Sequence, residues 1–174
     1  MELDVEGVYR VDGDGGNLVR ILGADQVARP NGVALSADQK TLFVIDNHPQ
    51  QPVRKVWAFS LNDDGQPTGK RRELYDFGGG RGGDGMCVDA QDNLYIASGA
   101  NLLYPHQNLD NPAGVLILSP AGKKLGFVPV PEDMVTNCCL GGPDGNTLYI
   151  TAGKTLWKTP KPELPGANNK SKST

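Results

Sequence analysis

Apolar residues in this chain gather in short runs, and Gly, Pro, Asp and Asn fall between the runs instead of within them. The stretches "RPNGVALSADQKTLFVIDN" at 29–47, "GGDGMCVDAQDNLYIAS" at 82–98 and "MVTNCCLGGPDGNTLYITA" at 134–152 each read as strand, tight turn, strand. In "TLFVI", "NLYIA" and "TLYIT" stand the aromatic and β-branched residues that suit a pleated surface, while "SADQK", "DAQDN" and "GPDGN" carry the residues of hairpin corners. The pattern predicts an all-β chain. Setting Leu35, Val88 and Leu140 in register aligns Asn31, Asp84 and Thr136, at spacings of 53 and 52 residues. A period near ~40–50 residues is that of a propeller blade.

A second strand pair follows the first two hairpins, "KVWAFSLNDDGQPTGKRRELYDF" at 55–77 and "GVLILSPAGKKLGFVPVP" at 114–131. Two pairs make the four-stranded blade of a β-propeller. The pattern predicts an outer half-blade at 7–23, a blade at 29–77, a blade at 82–131 and an incomplete blade at 134–159, together a partial propeller over 1–165. The tail 166–174 is polar and lacks apolar periodicity, so no structure is expected there. Open blade edges present unpaired backbone groups, which predicts self-association of the isolated chain.

Composition narrows the function classes. Of 174 residues 38% are hydrophobic, enough for a core, and 17 basic against 20 acidic residues give a formal charge of −3. Such a charge draws in neither nucleic acid nor an anionic membrane surface. The opening "MELDVEGVYR" has neither the basic start nor the apolar centre of a secretory signal. The chain by itself therefore predicts a cytoplasmic setting by default, with export only if a preceding segment carries a signal. Cys87, Cys138 and Cys139 lie in apolar runs without CxxC spacing, and are expected to be buried, reduced thiols.

The stretch "GGGRGGDGM" poses the chemical question, because its glycines suit a turn or a bend but do not account for Asp84. In a propeller the first strand of each blade lines the central channel, so Asn31, Asp84 and Thr136 are expected to face a common mouth. Two readings follow for Asn31 and Asp84. They cap turns through side-chain to backbone hydrogen bonds, or they supply hard oxygen ligands to a divalent cation, with the glycines leaving room for the ion. Other motifs carry less. The glycine run lacks the Lys-Ser or Lys-Thr ending of a phosphate loop, "DGDGGN" from Asp12 has Gly23 where a calcium loop needs its glutamate, and no Gly-x-Ser-x-Gly elbow is present. "DGDGGN" is thus expected to be a hairpin turn. His106, in the long segment 98–114, is a candidate substrate contact or an ordinary loop histidine, and His48 stands in the same position.

Together "RPNGVALSADQKTLFVIDN", "DGMCVDAQDNLYIA" and "VPVPEDMVTNCCLGGPDGNTLYITAGKTLW" resemble the C-terminal half of the gluconolactonase and regucalcin (senescence marker protein) family. The resemblance covers Gly7 to Trp157. It implies a six-bladed propeller that hydrolyses lactones with one divalent cation, calcium, zinc, manganese or magnesium. It places metal ligands on Asn31 and Asp84, with Asp84 also the general base, and Thr136 and Asn137 lining the same mouth around the substrate. The family's ligand glutamate, from its first blade, has no counterpart here, so the chain is expected to be a truncated lactonase, inactive or nearly so alone. The competing expectation is a non-catalytic binding module of the NHL type, since fold does not fix function.

Overall fold

The computed structural model describes residues 6–48 and 53–165, within which there are strands and no helix. The tail at 166–174, expected to lack structure, lies outside the described residues. Strands β1 (Val8–Arg10) and β2 (Val19–Leu22) form a two-stranded sheet. Strands β3 (Pro30–Leu35), β4 (Thr41–Asn47), β5 (Arg54–Leu61) and β6 (Pro67–Asp76) form a four-stranded sheet in chain order. A second is built from β7 (Gly83–Val88), β8 (Leu94–Ser98), β9 (Gly114–Leu118) and β10 (Lys124–Pro129). The last, β11 (Val135–Gly141), β12 (Thr147–Ala152) and β13 (Thr155–Pro160), has three strands. All pairings are antiparallel, so every sheet is a meander that starts at one edge and ends at the other.

The three hairpin corners share one geometry. Gln39, Asp92 and Gly145 all take left-handed backbone, at φ 58°, 60° and 69°. Their N–H groups donate back to the carbonyls of Ser36, Asp89 and Gly142 at 2.8, 2.9 and 3.2 Å. "DGDGGN" is likewise a turn: it joins β1 to β2, with the Gly15 N–H donating to the Asp12 carbonyl at 2.8 Å.

Sheets stack face to face, and their contacts explain why the central strands read as unbroken apolar runs. On β4, Leu42 and Val44 join Trp57 and Phe59 against Leu22 and Val27, while Phe43 and Ile45 on the other face meet Met86, Leu94 and Ile96. On β8 the same division recurs: Leu94 and Ile96 face the preceding sheet, and Tyr95 and Ala97 pack with Val135, Cys138, Leu148 and Ile150 of the following one. A strand buried on both sides has no polar alternation to show. Burial of each such Leu, Ile or Phe contributes about 1.5–3 kcal/mol. These stacked four-stranded sheets, with a two-stranded pair before them and a three-stranded sheet after, make a partial β-propeller.

One expectation about the thiols fails. All three cysteines are free, with Cys138 buried and Cys87 half-buried, but Cys139 is exposed. Strand alternation on β11 turns Cys138 into the contact with the neighbouring sheet and so turns Cys139 to its other face.

Asp89 carries a buried polar knot at the corner of the β7–β8 hairpin. Its carboxylate accepts from the backbone N–H groups of Gln91 and Asn93 at 3.0 Å each, from the Asn93 amide at 3.1 Å, and from the Tyr95 hydroxyl at 3.3 Å. Lys161, just past β13, pairs with it at 2.9 Å and so ties this hairpin to the last sheet. Burial by itself raises the carboxyl, but Lys161, Asn93 and Gln91 together outweigh it and hold Asp89 below its ordinary 3.8. Burial and the Asp89 charge both push the Tyr95 hydroxyl up. A carboxylate whose folded pKa is depressed stabilises the fold above its unfolded value and loses that contribution as pH falls through the folded one. Asp89→Ala is therefore expected to cost about 2–4 kcal/mol in urea unfolding at pH 7, as for a buried charged partner removed from its donors. The gap from wild type should begin to shrink below pH ~4 and close only as pH falls through the lowered folded pKa, where native Asp89 loses its charge.

Candidate functional site

Inner strands β3, β7 and β11 lie side by side, one from each stacked sheet. Each carries a bulge at the same level. Pro30 pairs with Asp46 and Val33 with Val44, so Asn31 and Gly32 together oppose Ile45 alone. Gly83 pairs with Ser98 and Met86 with Ile96, so Asp84 and Gly85 oppose Ala97. On β11 the extra residue is Thr136, between the pairs Val135 with Ala152 and Asn137 with Thr151. A bulge breaks the strict alternation of faces and re-aims the side chain it carries. Asn31, Asp84 and Thr136, aligned by the repeat, are thus the residues at which the three inner strands depart from regular pleating.

The bulged segments touch one another through their glycines. A β-carbon on Gly32 would run into the carbonyl oxygen of Asp84 and lie 3.2 Å from the Gly85 Cα. A β-carbon on Gly85 would meet the Asn137 amide and, at 2.8 Å, the Thr136 carbonyl. Backbone at 31–32, 84–85 and 136–137 is therefore in contiguous contact across three sheets. Of the glycines before Asp84, Gly78 takes the left-handed backbone of a turn at φ 60°, whereas Gly79, Gly80, Gly82 and Gly83 do not, and the space those four leave is filled by protein. Gly79 and Gly80 admit the Asn108 and Asn111 side chains, and Gly82 admits Asn47 and Arg54. Room for an ion is not what these four positions provide.

Asp84 is partly exposed, and its Oδ2 accepts from Arg81 Nη2 at 2.8 Å. Among the described residues no donor engages its Oδ1. Asn31 is exposed. Thr136 turns its hydroxyl to the neighbouring strand, 2.9 Å from the Thr151 hydroxyl, and Asn137 Oδ1 accepts from the Cys138 N–H at 2.8 Å. Both side chains are thus engaged locally within the last sheet while standing beside Gly85. His106 is exposed at φ 62°, and its backbone carbonyl, not its ring, is held, accepting from Arg54 Nη2 at 2.9 Å. The segment that bears it is tied to the chain ahead of β7: the Asn108 N–H donates to the Gly79 carbonyl at 3.0 Å and the Asn111 amide to the Phe77 carbonyl at 2.7 Å. His48, at the end of β4, donates its N–H to the Val53 carbonyl at 2.9 Å.

Sequence reasoning missed the charged side chains that fasten each inner strand. Buried Asp46 accepts from the N–H groups of Ala28 and Arg29 at 2.9 and 2.8 Å, fixing the chain just before Asn31. Buried Arg81, ahead of Asp84, instead donates to the Gly99 and Val135 carbonyls at 3.1 and 2.9 Å. Ahead of β11, Asp133 receives the N–H groups of Asn101 and Leu102 at 2.7 Å each. The glycine following Asn31 and Asp84 inside a strand was an available signal for a bulge or a close approach. Nothing local marks Arg81, because its partners come from three separate elements.

As donors for a divalent cation, the residues present fit in kind: one carboxylate oxygen without a protein donor and one exposed amide, both hard oxygen ligands. The set is incomplete, since among the described residues no group of three or more His, Cys, Asp and Glu is placed to hold an ion.

Residues 2–154 match the family described as the SMP-30/gluconolactonase/LRE-like region. The chain belongs to that family. It is 33% identical over 162 residues to a gluconolactonase of Zymomonas mobilis, covering 89% of this chain and 40% of the relative. Regucalcin of Xenopus laevis is 32% identical over 148 residues, covering 82% of this chain and 44% of that protein. Among solved structures, the gluconolactonase XC5397 of Xanthomonas campestris superposes with a TM-score of 0.71 at 31% identity, covering 94% of this chain and 46% of that one. The chain thus spans somewhat under half the length of these family members.

The inter-sheet contact at Gly32 gives a direct test. Gly32→Ala must push the Asp84 carbonyl aside and is expected to destabilise by about 1–3 kcal/mol, as overpacking does. Gly13→Ala, where an added β-carbon meets nothing within 4 Å, should leave the urea midpoint close to wild type. Equal midpoints for the two variants would show that the inner strands do not meet at Gly32.

Proposed function

We propose that this chain carries part of the site of a metal-dependent lactone hydrolase that opens sugar lactones. What supports the reading most is the coincidence of the two motif residues, Asn31 and Asp84, with bulges on adjacent inner strands whose backbones touch at Gly32. Bulges of this kind are a means of aiming side chains out of a sheet.

Asn31 and Asp84 would hold one divalent cation, a neutral and an anionic oxygen ligand respectively. When bound, such an ion supplies Lewis acidity toward a carbonyl oxygen and lowers the pKa of water beside it. Asp84 is the general base. Through Oδ1 it takes a proton from the water that adds to the lactone carbonyl carbon. When the ring C–O bond breaks, the same carboxyl returns that proton to the departing alkoxide, leaving a hydroxy acid. Asn31 orients without cancelling positive charge, and Asn137, stationed beside Gly85, borders the place a substrate would occupy.

The test has two parts. Adding manganese, zinc or calcium to the 174-residue chain should raise its melting temperature, because a ligand that binds only the folded state stabilises it by about 2.7 kcal/mol at a hundredfold excess over Kd. Asp84→Ala should abolish the rise. In a protein containing a whole ring, the same substitution should lower kcat on a lactone panel by about 10²-fold or more, the scale of a lost general base. A chain that melts at one temperature with every cation, together with a ring protein indifferent to Asp84→Ala, would favour the non-catalytic module.

A further inference from the structure

Arg81 stands at the centre of a contact that the lactonase reading does not use. Its side chain is 8% exposed against 26% for Asp84. Nη1 donates to the Gly99 carbonyl at 3.1 Å and to the Val135 carbonyl at 2.9 Å, and Nη2 donates to Asp84 Oδ2 at 2.8 Å. These partners belong to different parts of the mouth. Gly99 follows β8 and opens the long segment that bears His106, Val135 begins β11 and immediately precedes Thr136, and Asp84 is the bulge residue of β7.

A planar guanidinium has its donors in a fixed fork, so engaging two carbonyls with one nitrogen fixes where the other points. The carboxylate that meets that second nitrogen is then fixed as well. Because Arg81 takes only Oδ2, Oδ1 is the single oxygen Asp84 has left to present. The ordinary alternative for a partly exposed aspartate is to sample several χ1 wells. The backbone at a bulge does not by itself select one.

We propose that Arg81 is a positioning residue: through its fork to Gly99 and Val135 it locks the Asp84 carboxylate in one orientation, with Oδ2 engaged and Oδ1 offered to the channel mouth. The functional meaning of that lock rests on the lactonase reading, but the lock itself is a property of the chain without any ligand. It also couples the neighbouring elements. Displacing β11 or the base of the His106 segment moves the guanidinium, and with it the carboxylate.

The experiment reads the side chain directly. In the isotope-labelled 174-residue chain, the three-bond coupling between the backbone nitrogen and Cγ of Asp84 reports its χ1 distribution. Slow rotation of the Arg81 guanidinium gives separate signals for its two terminal nitrogens. The expected result is a single-rotamer coupling for Asp84 and resolved Arg81 nitrogens in wild type. In Arg81→Met the Asp84 coupling should fall to a rotamer average, and Arg81→Lys, which keeps the charge but loses the fork, should average it too. A merely structural arginine would lower the melting temperature of both variants and leave the Asp84 coupling unchanged, and that outcome overturns the proposal. So does a wild-type coupling that is already averaged, or an Arg81 guanidinium that rotates freely, neither of which requires a variant to fold. Titrating Mn²⁺ into wild type and Asp84→Asn separates the two ideas: no Mn²⁺ binding by wild type counts against the lactonase reading, while the couplings still decide the lock.

Discussion

Close approach of the inner strands is the constraint from which the rest of the site follows. At Gly32 the chain passes so near the Asp84 carbonyl that no β-carbon fits, and at Gly85 the Asn137 amide fills the space a side chain would need. Contact of this kind is possible only where a sheet loses its side chains locally. It also requires β3 and β7 to leave regular pleating, because each presents a bare α-carbon to its neighbour and carries a polar side chain at the adjoining position. A bulge satisfies both, which is why Asn31–Gly32 and Asp84–Gly85 each occupy one.

Holding bulged segments in place falls to charged groups, of which Asp46 and Arg81 are buried and Asp133 half-buried. Asp46, Arg81 and Asp133 each bind backbone groups just ahead of, or across from, an inner strand. Buried backbone donors and acceptors at irregular positions have no ladder partners, and each left unpaired would cost about 1–3 kcal/mol. These side chains therefore do for the mouth what ladder hydrogen bonds do for the sheets. Arg54 contributes in the same way, its Nη1 near the Gly78 and Gly79 carbonyls at 3.5 and 3.3 Å and its Nη2 on His106. The contact region of the inner strands is thus assembled from neighbouring sheets. Its geometry depends on how those sheets stack.

That dependence separates the candidate residues. All four candidates on the inner strands sit where the strands touch, but the side chains of Thr136 and Asn137 are engaged within their own sheet, with Thr151 and Cys138, whereas Asp84 is engaged by Arg81 through Oδ2 alone. His106 contributes a carbonyl to the scaffold. The chain spans 40% to 46% of the length of the gluconolactonases it is similar to.

Much of the architecture was legible along the chain because it is local. Hairpins "DAQDN" and "GPDGN" are specified by residues that tolerate left-handed backbone at Asp92 and Gly145, "SADQK" by the Asp38 carboxylate that accepts from the Ser36 hydroxyl and the Lys40 N–H, and the apolar runs between them by burial on both faces. The repeat that aligned Asn31, Asp84 and Thr136 is likewise a property of sequence, since each unit folds by the same short-range rules. What only tertiary structure decided lies between units. Stacking dictated that the glycines around Arg81 make room for Asn108, Asn111 and Asn47, that Cys139 faces outward while Cys138 packs inward, and that Arg81 meets Asp84, Gly99 and Val135 at one point. Pattern along a strand fixes which face a residue takes, but not what stands opposite it, because the opposite partner is delivered by another sheet some fifty residues away, at the blade period.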